Sequence, residues 1–137
     1  MTGVVRIHPE ELGSRHPMFE HVALAPAGAR LAFIAGQSGF YPDRTISPEM
    51  EKQMARAFEH LGICMNAAGA RPCDTLRITV LVVGYEEARH APLQRELDAL
   101  FGDTKPSSTL IPVADLADPR MLFEIDATVM IPDGETP

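Results

Sequence analysis

Glu124 and Asp126 stand two residues apart in the segment Phe123-Glu124-Ile125-Asp126-Ala127. In a β-strand that spacing puts both carboxyls on one face, roughly 6–7 Å apart. Paired carboxylates at such a distance can divide the acid and base work of a proton-transfer reaction. The competing reading is a solvated pair, or one neutralised by Arg77, and for strand carboxylates without further support it is the favoured one. A second candidate is Lys105-Pro106-Ser107-Ser108-Thr109-Leu110, where three hydroxyl residues follow a proline. Hydroxyls and backbone N–H groups in such a stretch can hold an anion. Ser and Thr beside proline are also ordinary turn formers, and on the residues alone a turn is expected.

The remaining reactive side chains carry weaker signals. Histidines at positions 8, 16, 21, 60 and 90 form no HxH or HExxH pattern and are assigned to surface or capping roles. Cys64 and Cys73 lie nine apart without a second pair, a neighbouring histidine or a basic partner. Both are therefore read as reduced, structural thiols. Gly36-Gln37-Ser38-Gly39 is too short, and wrongly followed, to cradle a phosphate. No cofactor or metal is expected.

With 137 residues, 45% of them hydrophobic, the chain can bury one core and is too short for two. The expected organisation is an arm over 1–18, one domain over 19–131 and a tail over 132–137, with disorder at Met1 to about His16 and at Asp133 to Pro137. A formal charge of −7, with 12 scattered Lys and Arg, repels phosphate, so no nucleic-acid partner is expected. There is no apolar run of signal-peptide length and none of the ~20 residues a membrane span needs, which points to the cytoplasm and to no membrane partner.

The elements that must position these groups follow from periodicity. Phe19 to Pro26 and Arg30 to Gly36 are expected to pair as a hairpin across Pro26-Ala27-Gly28. Ser47-Pro48-Glu49 reads as N-cap, first helical proline and first-turn acid. Met50, Met54, Ala57, Phe58, Leu61, Met65 and Ala68 then recur at helical spacing until Gly69. Asp74 to Gly84 is a central strand by its β-branched content. A shorter helix runs from about Pro92 to Gly102 with Leu93, Leu97, Leu100 and Phe101 on one face. Thr109 to Leu116 and Met121 to Ile131 close the series as strands. The order is ββαβαββ, an α+β sheet with two helices on one face. The other face carries the two carboxylates together with Leu81, Val83, Leu122 and Met130, so burial against another copy of the chain is expected.

Taken together, Phe33-Ile34-Ala35-Gly36-Gln37, the helix Glu51 to Ala68 running into Asn66-Ala67-Ala68-Gly69-Ala70, the strand Asp74 to Val83, the Pro106 loop and Phe123-Glu124-Ile125-Asp126-Ala127 resemble the RidA/YjgF (Rid) family over about residues 19 to 131. The resemblance implies a chorismate-mutase-like α+β fold and a homotrimer with small-molecule clefts between subunits. It also implies hydrolysis of 2-imino and 2-enamino acids to 2-oxo acids and ammonia. In the family an arginine two after the loop proline grips the substrate carboxylate through two parallel hydrogen bonds. A glutamate on the last strand orients the attacking water, and Glu124 matches it.

This chain departs from the pattern where the carboxylate should bind. Ser108 stands in place of the arginine, Leu110 in place of a common cysteine, Ala35 in place of a serine and Phe19 in place of an aromatic hydroxyl. Losing a bidentate charged contact should cost a carboxylate ligand on the order of several kcal/mol. The expectation is a divergent deaminase-like or hydrolase-like enzyme acting at a C=N or C=C bond of a small metabolite, with Glu124 catalytic. Ser107, Ser108 and Thr109 would anchor the ligand, and Leu110, Phe19, Ala35 and Gln94 would lie near the cleft. Arg120 or Arg95 would be the replacement cation. The alternative is a non-catalytic, ligand-binding or chaperone-like trimer, and a ribonuclease is the least favoured reading.

Overall fold

The computed structural model describes residues 3–134. Eight elements matter for the site: β1 (Val5–Ile7), β2 (Val22–Leu24), β3 (Arg30–Gln37), α1 (Met50–Ala68), β4 (Thr75–Val83), α2 (His90–Phe101), β5 (Ser107–Val113) and β6 (Phe123–Ile131). Four strands form the main sheet in the order β3-β6-β4-β5, antiparallel except for the β4–β5 pair, and β1 pairs with β2 in a separate two-stranded ladder. This is the expected α+β architecture, with both helices packed on one sheet face. No helix among the described residues is long and apolar enough to cross a membrane.

The helix stripes are the ones periodicity selects. Met50, Met54, Ala57, Phe58, Leu61 and Met65 of α1 are buried, as are Leu93, Leu97 and Phe101 of α2. They meet Ile78, Val80 and Val82 of β4 and Phe123, Ile125, Ala127 and Val129 of β6, the inward halves of two alternating strands. Gly69 ends α1 in the left-handed region at φ 81°, where its N–H bonds to the Asn66 carbonyl at 3.1 Å. The Ala70 N–H closes the turn on the Met65 carbonyl at 2.9 Å, completing a Schellman motif.

Four expectations are corrected. First, β2 and β3 do not pair: β2 turns to β1 (Val5 opposite Leu24), and β3 lies along β6 (Arg30 opposite Ile131). The nine-residue β6 offers β3 a far longer ladder than the three-residue β2 could. Second, Val5–Ile7, expected to be disordered, is a strand, because Arg6 donates from Nε to the Lys105 carbonyl at 2.9 Å and from Nη2 to the Cys73 carbonyl at 3.0 Å. Of the expected disordered ends, residues 1–2 and 135–137 lie outside the described residues. Third, α1 starts at Met50, and the Ser47 hydroxyl accepts from the Glu49 N–H at 3.1 Å in the turn before it. Fourth, the strand expected from Thr109 to Leu116 runs over Ser107–Val113, so Ser107 and Ser108 join it opposite Arg77 and Ile78 of β4. The turn that the proline suggested ends at Pro106.

One buried polar side chain ties α1 to the start of β6. Gln53 is 0% exposed, its Nε2 donates to the carbonyls of Ser47 and Arg120, both at 2.8 Å, and its Oε1 accepts from the Leu122 N–H at 2.7 Å. Gln53→Ala removes the partner of three partly buried backbone groups and is expected to cost about 3–5 kcal/mol. Urea unfolding measures it, and a loss under about 1 kcal/mol would mean water replaces all three bonds.

Candidate functional site

The three hydroxyls of β5 diverge because strand side chains alternate. The Ser107 hydroxyl donates to the Leu76 carbonyl at 3.0 Å, and the Thr109 hydroxyl accepts from Arg77 Nη2 at 2.7 Å. Ser108 points the other way, with Leu110, into a cavity of about 240 Å³ between the β5 edge and α2. Val80, Leu93 and Leu97 line its apolar part, Met18 and Phe19 come from the segment before β2, and His16, Tyr85 and His90 complete the lining.

That segment is held against the β5 loop. The Glu20 N–H donates to the Pro106 carbonyl at 3.1 Å, and Glu20 is ion-paired with Arg15. The His16 ring lies nearly parallel on Phe19, with centroids 4.4 Å apart, and its Nδ1 accepts from the Met18 N–H at 3.1 Å. In the neutral ring the proton is therefore on Nε2. Burial pushes His16 below the usual histidine range, and repulsion from His90 and His21 adds to it.

Glu124 lies elsewhere. It is opposite Leu81, and Leu81 is opposite Ile111, so Glu124 shares the helix-free face with Ile111. Ser108 and Leu110 share the helix-covered face with Ile78 and Val80. A single chain therefore separates Glu124 from Ser108 across the sheet. The carboxylate lies over Gly36 of β3, where a Cβ would come within 2.6 Å of the Glu124 Cδ. Glycine is needed for this close approach. Asp126 is opposite Thr79. Among the described residues no ion pair reaches Glu124 or Asp126, and Arg77, the partner considered for them, is committed to Thr109.

A second cavity, of about 320 Å³, opens at the opposite edge of the sheet beside Gly36 and Gln37, with Phe40, Arg44 and His60 in its wall. Arg44 has φ 69°, uncommon for a residue with a side chain, and its guanidinium stands 4.5 Å from the Phe40 ring centroid. Arg120, the expected replacement cation, is not at the Ser108 cavity. It grips Asp118 through Nε at 3.1 Å and Nη2 at 2.9 Å, and those bonds hold the Asp118 carboxyl down at about 2. Arg95 sits 3.8 Å from Glu51 on the exposed side of the helices.

Of the other expected cleft residues, Phe19 and Leu110 line the Ser108 cavity, whereas Gln94 is half-buried on α2 outside its lining. Ala35 is exposed in the β-bulge between Ile34 and Gln37 of β3. His16, Tyr85 and His90 carry no spacing signal, because they come from three separate segments. Only the fold gathers them. Among the described residues no group of three or more His, Cys, Asp or Glu is placed to hold a metal ion.

The family model described as Endoribonuclease L-PSP matches residues 17–131. No curated protein matches the chain. Among solved structures, YyfB from Yersinia pestis, a protein of unknown function of the conserved Rid protein family, is 27% identical. The match covers 94% of this chain and 99% of that one with a TM-score of 0.87. RidA from the Antarctic bacterium Psychrobacter sp. is 21% identical over 82% of this chain and 88% of its own, with a TM-score of 0.67. Rv2704 from Mycobacterium tuberculosis, of the YjgF/YER057c/UK114 family, is 19% identical over 94% and 100%, with a TM-score of 0.62. At these last two identities the likeness is one of fold.

Proposed function

The chain belongs to the Endoribonuclease L-PSP family, the Rid/YjgF proteins, and from that premise we propose a homotrimeric enzyme that acts on a small metabolite at a C=N or C=C bond in a cleft between two copies. The observation that carries this reading is the separation of Glu124 from Ser108 on opposite faces of one sheet. The β3 edge of one copy would bring Gly36 and Glu124 to the β5 edge of the next, with Ser108 and Leu110. The helix-free face fits such an assembly, because Phe33 is 78% exposed on it.

In that cleft Glu124 acts as the base or water-orienting group, a role open to a half-buried carboxylate without a bound cation. The substrate is not an ordinary 2-imino acid. Ser108 offers one neutral hydrogen bond where a bidentate cation would be needed, and within one copy neither Arg120 nor Arg95 reaches its cavity. The family description names an endoribonuclease, but a formal charge of −7 leaves a polyanion little electrostatic attraction.

The deciding assay generates 2-iminopropanoate in situ and follows 2-oxo acid release. The wild type is expected to give the uncatalysed rate, and Ser108→Arg a gain of about tenfold or more. Wild-type acceleration would show that another cation binds the carboxylate, Arg44 being the one that borders Gly36.

A further inference from the structure

We infer that the cavity at the β5 edge selects an uncharged ligand, a planar amide- or lactam-type carbonyl compound with an apolar body, and that His16 is its specificity-determining hydrogen-bond donor. This rests on the reading that Ser108 and Leu110 face the ligand, and it names the class of molecule they face. The polar groups on the cavity are two imidazoles, a phenol and a hydroxyl, from His16, His90, Tyr85 and Ser108. No lysine, arginine or carboxylate is among its lining residues. A carboxylate entering here finds no counter-charge in its own copy, and the Glu124 carboxylate that the neighbouring copy would bring repels it, so it loses its hydration without a replacement partner.

A neutral carbonyl meets no such penalty. With Nδ1 taken up by the Met18 N–H, the uncharged His16 ring presents Nε2–H as a donor. The stack on Phe19 fixes the plane of that ring. Burial, with repulsion from His90 and His21, pushes His16 below the usual histidine range and so favours the neutral ring as donor. The hydroxyls of Ser108 and Tyr85 can donate or accept, which suits an N–H beside the carbonyl. Met18, Leu93, Leu97 and Leu110 supply the apolar walls for the ligand body.

The test uses benzamide and benzoate, a pair of nearly equal shape that differ in charge, titrated against the full-length protein at pH 8 by calorimetry and by NMR line shifts. Benzamide is expected to bind saturably and at least about tenfold tighter than benzoate. His16→Ala should remove most of that margin, and Ser108→Arg should reverse it toward benzoate. Equal or tighter benzoate binding by the wild type, or saturable binding of neither probe, overturns the inference. The imine assay reports separately: selectivity that reverses in Ser108→Arg without any gain of turnover retires the catalytic reading and leaves this one standing. A gain of turnover without wild-type benzamide preference does the opposite.

Discussion

Phe33→Asp is expected to lower the solution mass from that of three chains to that of one and, in the Ser108→Arg background, to abolish imine turnover with it. Phe33 lies on β3 opposite Thr128, on the face that neither helix covers, with Leu31 and Ile111 also exposed on that face. Burying one such ring contributes about 2–3 kcal/mol per copy. An aspartate in its place would have to shed its hydration against an apolar surface, so the sign of the contact reverses. The monomer itself should keep its fold, because the side chain takes no part in the core shared with the helices. Light scattering gives the mass directly. A wild-type mass for the variant would place the contact between copies somewhere other than this face, and the cleft proposed here would go with it.

Glu124→Gln is the second large effect. In the Ser108→Arg background, where 2-iminopropanoate hydrolysis can be followed, it is expected to reduce kcat by about 10²–10⁴-fold, the contribution typical of a positioned general base. Glutamine keeps the shape and can still hold a water, but it cannot take a proton. Gly36→Ala checks the same group without altering it. The new Cβ would meet the far end of the Glu124 side chain, which can swing away at little cost to stability. Turnover should therefore fall while the melting temperature holds. If the glutamine variant hydrolyses the imine as fast as its parent, the carboxylate has no part in the chemistry. If Glu124→Gln in the otherwise wild-type chain keeps benzamide binding while every variant lacks turnover, the protein is a ligand-binding one.

How much of this could be read from residues depends on the range of the interaction involved. The α1 stripe from Met50 to Met65, its glycine stop at Gly69 and the alternation of β6 are local patterns, and each appears in the structure as expected. Expectations went astray where a choice was made between distant partners. The 22–24 segment takes β1 and leaves β3 to β6, a competition over ladder length that no window of sequence contains. Ser107 and Ser108 look like turn residues beside Pro106, yet the parallel pairing with Arg77 and Ile78 makes them strand.

The candidate site follows the same division. From the order of residues alone came the α+β class, the family, the carboxylate at 124 and the serine where an arginine was expected, since these are matters of residue type and spacing. Only the tertiary structure decided that Glu124 and Ser108 face opposite ways. Their sides depend on strand register across β6, β4 and β5, and a one-residue slip would reverse either of them. It likewise decided that Arg120 is spent on Asp118, and that His16, Tyr85 and His90 converge on Ser108. Side chains from segments far apart in the chain meet through packing, and packing is settled by the whole core at once.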